Sequence, residues 1–328
     1  MKKEFDVVAL GELLIDFTEA GLSEQGNPLW EANPGGAPCN VLAMLRKLDR
    51  KAAFIGKVGR DVYGAQLRRV VSDAGVDLRG LLEDPAVHTT LAVVHRLPGG
   101  DRDFSFYRNP GADMMLREDE MDPALLQGCR IFHFGTLSMT HPGVRAATKA
   151  AVAAAKAAGA LISFDPNLRP PLWESLELAK EQIEWGLSQC DVLKISDNEV
   201  EFLLPAEDAG SGYDYAAGAK KLLEKYPNIK LLNVTCGADG SYSFCCGHAV
   251  YVPSFTLGGT IETTGAGDTF CACVLHDVLA HGVEARSEES LRNMLRFANA
   301  AAYLVTTKRG AIRSMPEPAA VEAILAAN

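Results

Sequence analysis

From Arg130 onward the chain repeats a short β-rich apolar run followed by a helical stretch, and this repetition restricts the fold more than any other feature. Ile131-Phe132-His133-Phe134-Gly135 reads as a strand, the alanine-rich stretch 143–158 as a helix closed by Gly159, and Leu161-Ile162-Ser163-Phe164 as the next strand. The strands at 191–195 and 231–235 continue the series, and Phe5-Asp6-Val7-Val8-Ala9-Leu10-Gly11 has the same character near the N-terminus. Strands that are apolar throughout, rather than alternating, are covered on both faces. The expected fold is therefore α/β, three layers with a mainly parallel central sheet between helices. In such sheets ligands collect at the carboxyl ends of the strands. The 328 residues contain no internal repeat, low-complexity tract or long linker, so a single domain is expected.

Outside that series, one stretch stands out. Ile261-Glu262-Thr263-Thr264-Gly265-Ala266-Gly267-Asp268-Thr269-Phe270 is a small-residue turn that runs directly into the apolar run 271–279. Gly265, Ala266 and Gly267 let the backbone crowd a ligand, and the first N–H groups of the following helix would point at an anion. Asp268 falls on the first helical turn, where the helix dipole favours its ionised form and thus its use as a proton acceptor. An anion cradle beside a base suits phosphoryl transfer to an alcohol; a glycine turn capped by an ordinary Asp fits the residues as well. Two common phosphate motifs are excluded. The only Gly-Lys pair, Gly56-Lys57, is followed by Val58, and Gly265-x-Gly267 meets Phe270 where a dinucleotide fingerprint needs glycine.

Other polar groups fall where chain direction changes. Asp16 lies between apolar neighbours, either as a turn-facing carboxylate or as an acceptor for sugar hydroxyls. Gly35-Gly36 precede a helical pattern near whose start Asn40 offers both a donor and an acceptor. Residues 89–96 and 103–108 flank the turn cluster Pro98-Gly99-Gly100-Asp101 and read as a β-hairpin; Arg108 is either a paired cation or a group aimed at a sugar. Asp165, Asn167 and Arg169 cluster immediately after a strand. Ser196 and Glu199 have the spacing of a capping box.

Read together, the residues 264–270, the Gly35-Gly36-Ala37-Pro38-x-Asn40 segment, and Gly56-Lys57-Val58-Gly59-Arg60-Asp61-x-x-Gly64 resemble the two signatures of the ribokinase (PfkB) family of carbohydrate kinases. Thr235-Cys236-Gly237-Ala238-Asp239-Gly240 is similar to that family's nucleotide loop. The resemblance implies a ribokinase-like fold with a small β-sheet lid inserted at about residues 12–33 and 88–110. It implies Asp268 as catalytic base and residues 265–267 as anion hole. Asp16, Gly35, Gly36, Asn40, Phe104, Arg108, Asp165, Asn167 and Arg169 would serve the sugar, and Lys194, Ser196, Glu199, Thr235, Gly237, Gly240 and Asn299 the ATP. Glu199 would organise Mg²⁺ through water, with Ser196 where many members carry Asn. Glu262, Thr264, Gly310 and Ser314 would form a monovalent-cation loop for K⁺, with Glu262 where relatives often carry Asp. Residues 104–113 and 165–173 look most like fructokinases, which phosphorylate fructose at the 6-hydroxyl. A 2-keto-3-deoxygluconate kinase, another sugar or nucleoside kinase, and a non-catalytic sugar- or nucleotide-binding sensor are the alternatives.

Charge narrows the partners. Lys and Arg total 32 against 42 Asp and Glu, and the basic residues are scattered, so nucleic acid is not an expected partner. No apolar segment approaches membrane-spanning length and the N-terminus lacks a signal-like run, which predicts no membrane partner and a cytoplasmic protein. The eight cysteines lack C-x-x-C spacing; Cys245-Cys246 and Cys271-x-Cys273 suit neither zinc nor a structural staple and read as reduced thiols. A homodimer through the lid is a further implication of the family.

Overall fold

The computed structural model describes residues 3–96, 102–205 and 213–328, with the side chains of residues 95–96 and 102–104 left out of the description. The turn cluster at 98–101 therefore lies outside the described residues. In chain order the strands are β1 (Phe5–Leu10), β2 (Leu14–Leu22), β3 (Pro28–Gly35), β4 (Ala52–Gly59), β5 (Asp77–Asp84), β6 (Leu91–Arg96) and β7 (Arg102–Tyr107). They continue as β8 (Cys129–Gly135), β9 (Leu161–Asp165), β10 (Val192–Ser196), β11 (Leu231–Thr235), β12 (Ser241–Cys245) and β13 (His248–Val252). A nine-stranded sheet has the order β13-β12-β11-β10-β9-β8-β1-β4-β5. Its pairings are parallel from β11 across to β5, and antiparallel only at β11–β12 and β12–β13.

Period-two alternation explains why the central strands are apolar throughout. Val7 and Ala9 of β1 face one core with the helices Ala37–Lys47, Ala266–His281 and Glu288–Thr306, while Val8 and Leu10 face the other. On that second face Phe132, Phe134 and Phe164 are fully buried against the helices Pro142–Ala157 and Leu176–Gln189. Each such ring contributes roughly 1.5–3 kcal/mol by leaving water. The fold is the expected mainly parallel sheet between helical layers.

A second sheet, ordered β3-β2-β6-β7, stands apart from the first. β2 and β6 run parallel to each other and carry β3 and β7 antiparallel on their outer edges. The chain leaves β1 in one direction toward β4 and returns in the other toward β8, so the order reverses between β1 and β8. A crevice opens at the carboxyl ends on either side of such a reversal.

The Gly59 to Gly64 stretch proves to be a joint. Asp61 caps the helix Val62–Asp73, accepting from the N–H groups of Tyr63 (3.1 Å) and Gly64 (2.8 Å), and also takes the Thr89 N–H at 2.8 Å and its hydroxyl at 2.8 Å. A Cβ on Gly64 would lie 2.0 Å from the Gly59 carbonyl oxygen, so only glycine fits there. Asp61→Ala removes the cap and strands the Thr89 amide. We expect a loss of about 2–3 kcal/mol in urea unfolding, and a change under about 0.5 kcal/mol would refute this role.

Candidate active site

A cavity of about 790 Å³ opens at the carboxyl ends of the central strands, beneath the smaller sheet. Its floor comes from the turns after β1, β9, β10 and β11, which supply Glu12, Asn167, Arg169, Ser196, Glu199 and Gly237. The smaller sheet supplies one wall through Leu14 and Asp16 of β2, Val94 of β6 and Phe106 of β7. The turn Thr263–Gly265 and the start of the helix Ala266–His281, including Gly267 and Asp268, complete it.

Gly265 is the N-cap of that helix and holds φ at 80°, a conformation glycine adopts without strain. A Cβ placed there would come within 2.9 Å of the Ala311 Cβ. By helix geometry the N–H groups of Gly267 and Asp268 have no intrahelical acceptor and face the opening. Beside them, a Cβ on Gly267 would stand 3.0 Å from the Lys194 Nζ, so the turn and this cation are in near contact.

Lys194 is buried in the middle of β10 and pairs with Asp165 at the end of β9, Nζ to Oδ2 3.0 Å and Oδ1 3.2 Å. Burial works against its charge, but the Asp165 and Glu199 carboxylates more than offset this and hold its pKa above the ordinary lysine range. Asp165 is thus committed to Lys194 and does not line the cavity.

Asp268 accepts a 2.7 Å hydrogen bond at Oδ2 from Asn40 Nδ2, which joins the two glycine-rich segments in space. Burial pushes its pKa up to about 6; the Asn40 hydrogen bond and the Lys194 and Arg169 charges pull against the rise, while Asp165 adds to it. The dipole-favoured carboxylate anticipated from sequence is overridden here. A helix terminus contributes roughly 0.3–1 kcal/mol, whereas each unit of pKa is worth about 1.4 kcal/mol. Above pH 6 the group is nonetheless mostly ionised.

Asp16 rises to about 7 through burial, opposed by Arg169 and reinforced by Glu262 and Asp268. Arg169, which lines the same cavity, thus acts as a counter-charge to both carboxylates. Asn167, two residues earlier, holds φ at 45°, a left-handed conformation that Asn tolerates. Gly35 does not reach the cavity; its absent side chain makes room for Asp16 Oδ2, 2.4 Å from where a Cβ would be.

Several sequence-derived positions serve the scaffold instead. Arg108 is buried, donating to Asp113 Oδ2 from Nε at 2.8 Å and Nη2 at 2.6 Å, to Thr140 and to the Leu137 carbonyl, and it does not line the cavity. Asn299 spends its amide on Ser241 (2.9 Å) and on the carbonyls of Val252 and Pro253, both 3.2 Å away. Gly240 forms a turn in which a Cβ would strike the Val252 carbonyl oxygen at 2.3 Å. Glu199 accepts from Ser196 N (2.8 Å) and Leu168 N (2.7 Å), making it both a helix cap and a clamp on the segment after β9. Phe104 has no described side chain. Glu262 accepts from the Thr264 hydroxyl at 2.5 Å and the Gly310 N–H at 3.3 Å, and Ser314 donates to the Arg309 carbonyl, so the four residues of the cation loop converge.

Sequence reasoning overlooked Glu12. It is buried at the end of β1, lines the cavity, accepts the Ala37 N–H at 2.8 Å, and is raised to about 7 by burial. The available signal was an acidic residue directly after a buried strand that ends in Gly11.

A carboxylate held by an amide, the start of a helix and the further carboxylates Glu12 and Asp16 line one cleft, an arrangement able to accept a hydroxyl proton beside an anion. The chain belongs to the pfkB family of carbohydrate kinases, whose description it matches over residues 4–318. It is 40% identical over 317 residues to fructokinase-1 of Zea mays, covering 96% of each chain, and 41% identical over 318 residues to fructokinase-2 of Solanum lycopersicum, covering 94% and 93%. Among solved structures it resembles the ATP-bound fructokinase of Xylella fastidiosa with a TM-score of 0.86, 29% identity and 98% of both chains covered. A putative ribokinase II of E. coli in complex with ATP and Mg²⁺ gives 0.84 at 25% identity, covering 99% of this chain and 100% of that one. A double mutant of Vibrio cholerae fructokinase with fructose, ADP and potassium gives 0.84 at 27%, again with 99% and 100% covered.

Proposed function

We propose that this enzyme is a fructokinase, which transfers the γ-phosphate of ATP to the 6-hydroxyl of fructose. The observation that carries this reading is the Asn40–Asp268 pair at the start of the helix Ala266–His281, facing Asp16 and Arg169 across a single cavity. Sugar hydroxyls donate to Asp16 and to Asn40 Oδ1, a buried acceptor without a partner among the described residues. Asp268 receives the proton of the attacking hydroxyl. As a weak base relative to an alcohol it does so late, after bonding to phosphorus has begun. The N–H groups at Gly267 and Asp268, with Lys194 beside them, neutralise charge on the moving phosphoryl group. The smaller sheet excludes water, which would otherwise accept that group.

The kinship to plant fructokinases supports fructose as acceptor, and so does Arg108. A sugar acid such as 2-keto-3-deoxygluconate needs a cation for its carboxylate, and Arg108 is already committed to Asp113. Assaying ATP consumption with each sugar tests the assignment: turnover of 2-keto-3-deoxygluconate without turnover of fructose overturns it, and turnover of neither favours a sugar- or nucleotide-binding sensor.

Magnesium would be carried by the nucleotide phosphates and water, beside the Glu199 carboxylate that lines the cavity. Spare lone pairs of Glu199 would orient its water shell. When bound, the ion offsets charge on the β- and γ-phosphates. The oxygens gathered by Glu262, Thr264, Gly310 and Ser314 fit K⁺, and replacing potassium by choline in the assay is expected to lower kcat. Leu22, Leu29, Trp30 and Tyr107, all exposed on the smaller sheet, suit pairing with a second copy, which sedimentation velocity decides. Seven buried thiols among the eight cysteines suit a reducing, cytoplasmic setting, and no helix of the described residues is long and apolar enough to cross a membrane.

Sugar binding is expected to release protons. Asp16 is raised to about 7 and accepts hydroxyls more strongly when ionised, so fructose should bind more tightly at pH 8 than at pH 6. At pH 7 each sugar bound displaces roughly half a proton. Calorimetry in buffers of different ionisation enthalpy reads this directly, and zero proton release would contradict it.

A further inference from the structure

The adjacency that makes Cys245-Cys246 a poor structural staple gives the pair a different capacity. Cys245 ends β12 and pairs across the ladder with Leu231, the first residue of β11, so it lies at the opposite end of the sheet from the catalytic cavity. Cys246 follows in the turn to β13 with φ at 53°, which brings its sulfur to 3.4 Å from that of Cys245. Cys245 is buried and Cys246 exposed, and both sulfurs lie near the Val283 carbonyl, at 3.2 and 3.7 Å. The main-chain N–H groups of Arg286 and Ala285 also face the Cys246 sulfur.

We infer that Cys245 and Cys246 form a reversible dithiol–disulfide site, in which exposed Cys246 reacts with hydroperoxides and buried Cys245 closes the ring. The Arg286 amide, then the Cys245 thiol and the Ala285 amide, hold the Cys246 thiol below its ordinary range, whereas burial pushes Cys245 up to about 12. The roles are therefore unequal. The Cys246 thiolate attacks one oxygen of the hydroperoxide, so an S–O bond forms, the O–O bond breaks, and the departing alkoxide or hydroxide takes up a proton. Cys245 then attacks the sulfenic sulfur: the S–S bond forms, the S–O bond breaks, and hydroxide leaves as water with the Cys245 proton. The two thiols are oxidised by two electrons and the hydroperoxide is reduced. Adjacent Cα atoms are about 3.8 Å apart, below the roughly 4.4 Å minimum of ordinary disulfides, so the product is strained and readily reversed by thiols.

The test uses the full chain, hydrogen peroxide, and alkylation with iodoacetamide before peptide mass analysis. In the native protein the peptide holding residues 245–246 should lose two hydrogens and both alkylation sites, at least ~10-fold faster than in the urea-unfolded chain, with reversal by dithiothreitol. Cys245→Ser should trap a dimedone-reactive sulfenic acid on residue 246, and Cys246→Ser, at an exposed position, should leave Cys245 unoxidised. Equal rates in native and unfolded chains, oxidation confined to other cysteines, or disulfides only between chains would overturn the inference.

Discussion

Asp268→Asn is expected to lower kcat by at least ~10²-fold while leaving the affinity for fructose nearly unchanged. The amide has the shape of the carboxylate and can still accept from Asn40 Nδ2, so the geometry recorded at 2.7 Å survives while the proton acceptor is lost. In the unaltered enzyme kcat, read at saturating fructose so that the Asp16-dependent binding step drops out, should rise about tenfold per pH unit up to about 6 and level off above it, and that limb should vanish in the variant. Stability moves the other way. Because the folded-state pKa lies above the unfolded value near 3.8, the native state holds the extra proton between those pH values. Its contribution is complete below 3.8 and is lost as pH rises through about 6, so at pH 7.5 the ionised, buried Asp268 destabilises the fold. The Asn variant should therefore melt at a higher temperature than the parent at pH 7.5, with the difference shrinking toward pH 4. An unchanged turnover number would remove Asp268 from the chemistry.

Lys194→Met should cost about 3–5 kcal/mol in unfolding free energy, because it leaves the Asp165 carboxylate buried beside an apolar side chain. Against a typical total of about 5–15 kcal/mol, this is a substantial fraction. Adding Asp165→Asn removes the stranded charge and should restore most of the stability. Activity should not return with it, since the cation beside Gly267 is still missing. Lys194 lowers the Asp268 pKa and Asp165 raises it by at least as much, so with both charges removed the surviving activity should titrate at an unchanged or lower pH. Recovery of both stability and full turnover would make the pair a packing feature only.

Why some of this was legible in sequence and some was not has physical causes. Strands buried on both faces announce themselves by unbroken apolar runs, as Val7 to Leu10 do, and their mainly parallel arrangement follows once the helices between them are recognised, whereas their order in the sheet does not. Glycine turns are legible because backbone crowding leaves few other choices, as at Gly64 and Gly265. Side-chain commitments are not. Arg108 and Asp113 are five residues apart, yet only the folded turn shows that each satisfies the other, and nothing local distinguishes an Arg aimed at a sugar from one already paired. Asn299 sat at the expected place in the chain, but its amide was taken by β12 and the segment after β13. The ionisation of Asp268 required a contest between dipole and desolvation that depends on depth of burial, a quantity absent from a string of residues.

The strands of the smaller sheet lie within residues 14–35, 91–96 and 102–107, while the turns at the carboxyl ends of the main sheet and the start of the helix after Gly265, to which the proposed function assigns the triphosphate, belong to the rest of the chain. On the proposed function, the share of carbohydrate preference carried by Leu14, Asp16, Val94 and Phe106 would reside in these strands. Grafting these strands from a relative with a different acceptor is a shorter route to new selectivity than reshaping the catalytic floor, and lineages of such enzymes can diversify by the same exchange.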